Sequence, residues 1–555
     1  MLSNPQGFAK LYHLPQWPTK LARGLAPMVV ASVLIVLGSG CTSVSDYIHN
    51  GFKVGPNYQK PPAPVADEWI DSKSKEVNVA TKDLSGWWKA LNDPKLDALI
   101  EEAYRQNLTL RSAGTRILAA RAQRNIAVGN LFPQTQQAFG GHNRNQTSAT
   151  AANPLPNRFF NDTTAGFNLS WEIDFWGRFR RGVEATDADL DASVENYDDA
   201  LVLLISEVAS TYVQIRVFQQ QLKYIADNIT VQTQFVKQAE DRLKGGAGRK
   251  IDQGQMRSNL FDTLSLKEQQ ETGLRHANNQ LCVLLGIPVR DLLPELGEGD
   301  IPTAPPEVAV GMPADLLRRR PDLRKAERLV AGQSARVGIA TSDLYPRLSL
   351  IGGLGYEAAN FTDLFTSKSF IGTIGPSLRW DILNYGRLVN GIRVQDALFQ
   401  TAVLDYQNAV LNAGREVEDS LVLFLRSQTR TRQLTESAKE GKVAVDEALQ
   451  LSKDVKFDLN TAFVTSNFLV TQQDKLAQAR GDIALGFISI YKALGGGWEI
   501  RLPEPVVEAT PASPIQDQKV PPPNMLPMAP RFLMPQAVSD DRIDPAVTQS
   551  RGTMR

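Results

Sequence analysis

The residue types that usually carry chemistry are few in this chain and poorly spaced for it. Its four histidines, His13, His49, His142 and His276, are scattered, and none stands at metal-ligand spacing from a cysteine or carboxylate. No nucleophile elbow, phosphate loop or dinucleotide fingerprint occurs in a convincing context. Glu207 and Glu416 recur in two similar stretches, where a lumenal or interhelical carboxylate explains them better than acid–base catalysis. The chain is therefore expected to be no enzyme and to hold no metal or cofactor.

The side chain with the clearest chemical fate is Cys41. Lys20 and Arg23 precede an apolar run, Leu25–Leu37, and Gly38-Ser39-Gly40 lead directly into the cysteine. Basic stretch, apolar core and small residues form a secretory signal peptide over 1–40. A cysteine at that junction predicts lipidation, with Cys41 as the mature N-terminus. The leucine of the bacterial lipobox is displaced by one place, since Gly38 stands three residues before the cysteine and Leu37 four. Thr42 follows where inner-membrane retention calls for Asp, which points to the outer membrane. Cys282, within LCVLLG, reads as a small buried hydrophobe, so no disulfide framework is expected.

The elements that position these residues come in two copies. AGFNLSWEIDFWGRF, beginning at Ala165, recurs as IGPSLRWDILNYGRL, beginning at Ile374. One offset of 209 residues relates Trp171 to Trp380, Gly177 to Gly386, Tyr197 to Tyr406, and Leu285-Gly286 to Leu494-Gly495. Each copy reads as a strand feeding a very long helix, so the chain is a tandem repeat. The first repeat occupies 86–290: a helix from Asp93-Pro94, a hairpin over 134–173, a long helix over 178–244 and a return helix over 251–285. The second occupies 313–500: a hairpin over 347–382, a long helix over 387–454 and a return helix over 461–494. A linker, 291–312, joins them. Residues 41–85 are Pro-rich and read as an extended tether, and 501–555 as a Pro-rich disordered tail.

Val183 to Lys244 contains neither Gly nor Pro, and apolar residues step by three and four from Leu201 to Leu243, broken only by Thr211 and Gln232. That is a coiled-coil seam, and a helix of about 60 residues is roughly 90 Å long. Such a helix must pack on neighbours along its run. Each predicted strand has about ten residues, enough to cross a bilayer when tilted. Trp171, Phe175, Trp176, Trp380 and Tyr385 cluster at strand ends like an aromatic girdle, with Arg178, Arg180 and Arg181 placed to anchor at headgroups. Four strands cannot close a barrel alone, so strands in lipid require several chains to share one. Net charge is zero, which favours no nucleic-acid partner, and a mean hydropathy of −0.24 excludes a bundle of membrane helices.

Six motifs, taken in order, carry a family resemblance: VGPNY (54–58), GWWKALNDPKLDALIEEA (86–103), WEIDFWGRFRRGVEA (171–185), GMPADLLRRRPDLRKAE (311–327), LYPRLSL (344–350) and YKALGGGW (491–498). Over roughly 41–500 the chain resembles the outer membrane factors, the TolC-like export ducts, and most of all the lipoprotein branch that works with RND-type pumps. The resemblance implies a mixed α/β membrane protein: a homotrimer with a shared twelve-stranded outer-membrane barrel, continued by a periplasmic α-helical coiled-coil barrel. It implies a periplasmic membrane-fusion adaptor and an inner-membrane pump as partners, and passive exit of drugs, metal ions or other small molecules. It also implies a constriction where the return helices begin, with Asp252 as first-repeat candidate and Asn460, Thr461, Val464 and Asn467 opposite. A lipid-anchored periplasmic coiled-coil adaptor that does not span the membrane is the alternative.

Overall fold

The structure is a computed structural model that describes residues 44–80, 83–150, 156–454 and 457–502. The signal segment, Cys41 and the tail beyond Leu502 lie outside the described residues. A short helix α1 (Val44–His49) and a two-residue strand β1 (Val77–Asn78) lead to a 3-10 turn, Trp87–Leu91. Helices α2 (Pro94–Gln106) and α3 (Leu108–Gly129), strands β2 (Thr135–Gln146) and β3 (Phe159–Ile173), and helices α4 (Arg178–Lys244) and α5 (Lys250–Leu285) complete the first repeat. One-turn α6 (Leu293–Leu296), strand β4 (Val308–Ala309) and one-turn α7 (Leu316–Arg319) follow. The second repeat is α8 (Pro321–Ser342), β5 (Arg347–Ala358), β6 (Phe370–Arg379), α9 (Arg387–Leu451) and α10 (Leu459–Ala493).

The repeated residues have repeated jobs. Gly177 and Gly386 sit at φ 82° and 80°, turning each strand into its long helix through a conformation that side chains resist. Gly286 and Gly495, at φ 71° and 73°, end the return helices against the chain entering α3 and α8. A Cβ on Gly286 would stand 2.6 Å from the Gln106 carbonyl oxygen, and one on Gly495 2.9 Å from Arg320 Cα. At the same two joints Asn107 donates to the Leu284 carbonyl (2.9 Å) and Arg320 to the Ala493 carbonyl (2.7 Å). Asn107 also accepts from Leu110 N–H at 2.8 Å, which breaks the run from Pro94 into α2 and α3. Arg320 additionally pairs with Glu416 at 2.8 Å, so this carboxylate holds a helix joint, while its counterpart Glu207 is exposed.

The helices bury two separate apolar clusters. The larger surrounds Trp87, Trp88, Tyr212, Tyr406, Phe424 and Phe487 at mid-length; the smaller, built on Phe235, Met256 and Leu459, lies toward the far turns. Cys282 is fully buried in the first. The most apolar stretch of α4 could span a membrane by length, but 72% of it is buried inside the protein.

The segment expected as a tether is instead a strap along the body. Trp69 Nε1 donates to the Gly311 carbonyl at 2.9 Å, Val54 N–H to the Trp176 carbonyl at 3.1 Å, and β1 pairs in parallel with β4. Val54, Trp69, Val77 and Leu84 are buried. Burial of such side chains is worth about 1.5–3 kcal/mol each, enough to hold an extended chain that makes few bonds to itself.

Candidate functional site

The four long strands form one antiparallel sheet in the order β2-β3-β5-β6, with β2 and β6 at its edges. Residues directly opposite one another share a face, and the register sorts most side chains, with Phe139, Ile351 and Ile371 falling among the polar rows. One face carries the rows Ala138–Phe167–Leu354–Gly372, Gln136–Leu169–Gly352–Ile374 and Trp171–Leu350–Pro376. The other carries Gln137–Asn168–Gly353–Thr373 and Glu172–Ser349–Ser377. Apolar side chains on the first face, such as Ile374 at 76% exposure, are covered by nothing among the described residues. Apolar-out and polar-in alternation across a one-layer sheet is the pattern of a barrel wall between lipid and a wet lumen. His142 belongs to the apolar face, where its Nδ1 meets Thr163 Oγ1 at 2.8 Å.

The aromatic belt is built from latches. Trp171 Nε1 donates to the Leu131 carbonyl (3.2 Å) and Trp380 Nε1 to the Leu344 carbonyl (3.0 Å), each tying a strand end to the helix end before its hairpin. Trp176 stacks on Tyr345, with centroids 4.5 Å apart, and donates to the Pro346 carbonyl at 2.8 Å. Tyr47 of α1 donates to the Phe175 carbonyl at 2.7 Å and stacks near both aromatics. Among the described residues Tyr385 has no such contact: it is 98% exposed, at φ 50°.

The arginines expected as headgroup anchors hold the strap instead. Arg180 donates to the Gly51 and Phe52 carbonyls, both at 2.7 Å, and Arg181, buried, to those of Val54 and Gly55. A guanidinium fork suits strap carbonyls that no ladder satisfies. Arg178 pairs with Glu172 at 3.2 Å. The sequence signal for this docking was VGPNY itself, since a Cβ on Gly55 (φ 82°) would stand 2.5 Å from Gly338 Cα of α8.

At the turns farthest along the helices, Asp252 lies in the first turn of α5 and is only 8% exposed. Arg249 chelates it, with Nη2–Oδ1 2.7 Å and Nε–Oδ2 3.0 Å, and Asp252 raises the pKa of that guanidinium further. The exposed charge here is therefore Arg249, with Asp458 3.7 Å away. Asn460, Thr461, Val464 and Asn467 are all exposed on α10, whereas Asp252 is covered. Arg242, which the sequence reading missed, spans the two turns by donating to the carbonyls of Ser452 (2.7 Å), Asp454 (2.5 Å) and Phe457 (2.7 Å). Among the described residues no three His, Cys, Asp or Glu side chains converge as a metal site.

Comparison with known proteins decides what this sheet and these helices belong to. The model of a family described as outer membrane efflux protein matches residues 99–287 and 312–496. The chain belongs to the outer membrane efflux protein family. Nodulation protein T of Rhizobium leguminosarum bv. trifolii is 29% identical over 468 residues, covering 81% of this chain and 95% of that protein. A probable outer membrane lipoprotein, SilC of Salmonella typhimurium, is 27% identical, covering 84% and 98%. Among solved structures, the outer-membrane channel OprN superimposes with a TM-score of 0.74 at 29% identity, over 80% of this chain and 99% of that one. CusC, at 24% identity and a TM-score of 0.68, shares the fold. This efflux-family chain is thus an outer-membrane protein, and its solved relatives are channels rather than enzymes.

Proposed function

We propose that the protein is the exit duct of a tripartite efflux assembly. Three copies pool four strands each into a twelve-stranded barrel, and the paired long helices continue it as a tube through the periplasm. The observation that carries this reading is the two-faced sheet: its apolar face matches hydrocarbon, and open strand edges cannot stay unpaired there. Lipid on Cys41 anchors the strap, a periplasmic adaptor docks on the helical tube, and an inner-membrane RND-type pump supplies the energy. Small toxic molecules leave passively, and the far turns narrow the tube, with Arg249–Asp252 and the stripe Asn460, Thr461, Val464 and Asn467 at the constriction.

The test is single-channel conductance of the purified protein in planar bilayers. Discrete openings from a detergent-resistant oligomer are expected, with larger current for Asp252→Ala. A salt-extractable, non-conducting monomer in the periplasmic fraction would overturn the duct in favour of a scaffold. Unchanged current in Asp252→Ala removes that residue from the constriction and leaves the duct.

A further inference from the structure

A polar groove crosses the helical body where the linker between the repeats lies on it. Residues 298–304 run between α4 on one side and α9 and α10 on the other, and a cavity opens at each end of them. The first, of about 630 Å³, is lined by Gln220, Lys223 and Ala226 of α4 together with Glu298 and Asp300. The second, of about 530 Å³, is lined by Gln220 and Asp300 again, with Thr431 of α9 and Arg480 and Ile483 of α10. Two shared side chains make the pair one continuous groove.

Its floor is fixed and its rim is unpaired. Arg216, only 2% exposed, donates to Gln219 at 2.8 Å and to the Gly297 and Leu296 carbonyls at 2.7 and 3.2 Å. A Cβ on Gly299 would stand 2.9 Å from the guanidinium carbon of Arg216, so the linker can lie flat on that buried cation only with a glycine there. Ile301 and Pro302 are buried and pin the far end. Among the described residues, by contrast, the side chains of Gln220, Lys223, Glu298, Asp300 and Arg480 make no hydrogen bond or ion pair, and the covered Thr431 hydroxyl has no partner. Arg430 and Asp482, close by in sequence, do pair, at 3.0 Å. The groove thus keeps two cations, two anions and amide-binding groups free on a rigid base.

We propose that this groove binds peptidoglycan, taking the short peptide that branches from its glycan chain. The inference rests on the duct reading, which sets the groove's depth and side. Gln219 to Ala226 lie roughly 60–70 Å along α4 from its membrane end, so the groove stands in the periplasm. The strap descends from a lipid anchor outside the barrel, and its β1 pairs with β4 just beyond the groove, so this face of the linker is the outer one. A tube that crosses the periplasm passes through the covalent wall, and the wall peptide has the chemistry to match. It carries free carboxylates for Lys223 and Arg480, a free amine for Glu298 and Asp300, and amides for Gln220 and Thr431. Mixed charge selects such a zwitterion, because a chain of one sign would meet like charges along the groove. Several copies of the groove on one oligomer turn weak single contacts into a firm hold on the mesh.

The test uses the full-length oligomer in detergent, after conductance in planar bilayers has been recorded. Purified sacculi should carry it down on centrifugation, and soluble muropeptide, a disaccharide with its peptide, should release it. Arg480→Gln and Lys223→Gln, both at exposed sites, should each weaken muropeptide binding about tenfold, as expected for one charge-assisted hydrogen bond, with conductance unchanged. Asp300→Lys should abolish sacculus binding, and Arg415→Gln, exposed and outside the groove, should bind like the parent. A conducting oligomer that stays in the supernatant, groove variants that bind like the parent, or an equal loss in Arg415→Gln overturns the site while the duct stands. Release by an unrelated zwitterionic peptide as readily as by muropeptide overturns the wall in favour of a protein partner. A non-conducting monomer removes the duct and this inference with it.

Discussion

The middle of the helical body and its far end are built from the same helices but held by different physics. At mid-length, Trp87 of the 3-10 turn stacks parallel on Tyr491 at 5.6 Å, Tyr491 meets Phe487 at 4.7 Å, and Phe487 meets Phe424 at 6.3 Å. That cluster joins both repeats and the strap. Toward the far turns the apolar cluster is small and alanine-rich, with Ala239, Ala448 and Ala462 among its members. Between the two lies a polar seam: Gln221 with Asp474 (2.7 Å), Asn228 with Gln473 (2.6 Å) and Gln232 with Ser466 (3.2 Å). Burial pushes the Asp474 carboxyl above its ordinary value. Polar contacts buried in a coiled-coil seam specify register at a cost in stability. The middle is a collar held by apolar packing, and the end is held by a small apolar cluster and a few polar links.

The contrast breaks most visibly at Phe487. This ring is almost completely buried, and truncation of a core aromatic costs about 3–5 kcal/mol. Phe487→Ala should lower the unfolding midpoint of the whole helical body in detergent. An unchanged midpoint would mean that the collar does not carry the stability. A smaller, local effect is expected from Arg242→Ala, which removes the donors to Ser452, Asp454 and Phe457. The midpoint should hold while amide exchange at residues 452–461 speeds up by about tenfold, or roughly 1.4 kcal/mol of local opening. Mean channel current should rise with it. Global destabilisation in place of local exchange would erase the distinction between collar and end.

Much of this architecture was legible because its signals are periodic. Helices of 67 and 65 residues declare themselves by an unbroken three-four step, and the strands by a tandem copy around Trp171 and Trp380. Asp93 announces α2, since its side chain accepts from Lys95 and Leu96 N–H and Pro94 takes the first turn. The Trp171 and Trp380 latches, the packing of Asp252 and the docking of the strap were not legible. The latches and the strap depend on partners tens of residues away, such as Leu131 and Gly311, and the packing of Asp252 on the turn geometry that folds Arg249, three residues before it, onto the carboxylate. Residue type says that a tryptophan at a strand end wants one polar contact, and only the fold says with which carbonyl. The reach of Arg242 falls in the same class, because nothing near it in sequence marks the opposite turn.

The smallest expected effect concerns the strap, which borrows its charge pairs from the body. Lys53 pairs with Glu184 and Lys60 with Glu327, the latter at 2.7 Å. Burial pushes both carboxyls up, but hydrogen bonds from Lys53 and Arg181 to Glu184, and from Lys60 and Arg328 to Glu327, outweigh it and hold both below the ordinary glutamate value. The folded form therefore binds fewer protons than the unfolded one. The docking free energy from these pairs is complete above the ordinary glutamate range and falls away as pH drops through the lowered values. Glu184 is more than a third exposed, so solvent screens its share and Glu327 dominates. Protease cleavage within residues 52–66 should stay slow at neutral pH and rise in acid, while the collar resists throughout. Glu327→Gln should bring that susceptibility to neutral pH with little change in the unfolding midpoint. Equal cleavage at all pH values would show that the buried Trp69 and Val54, and not these ion pairs, fasten the strap.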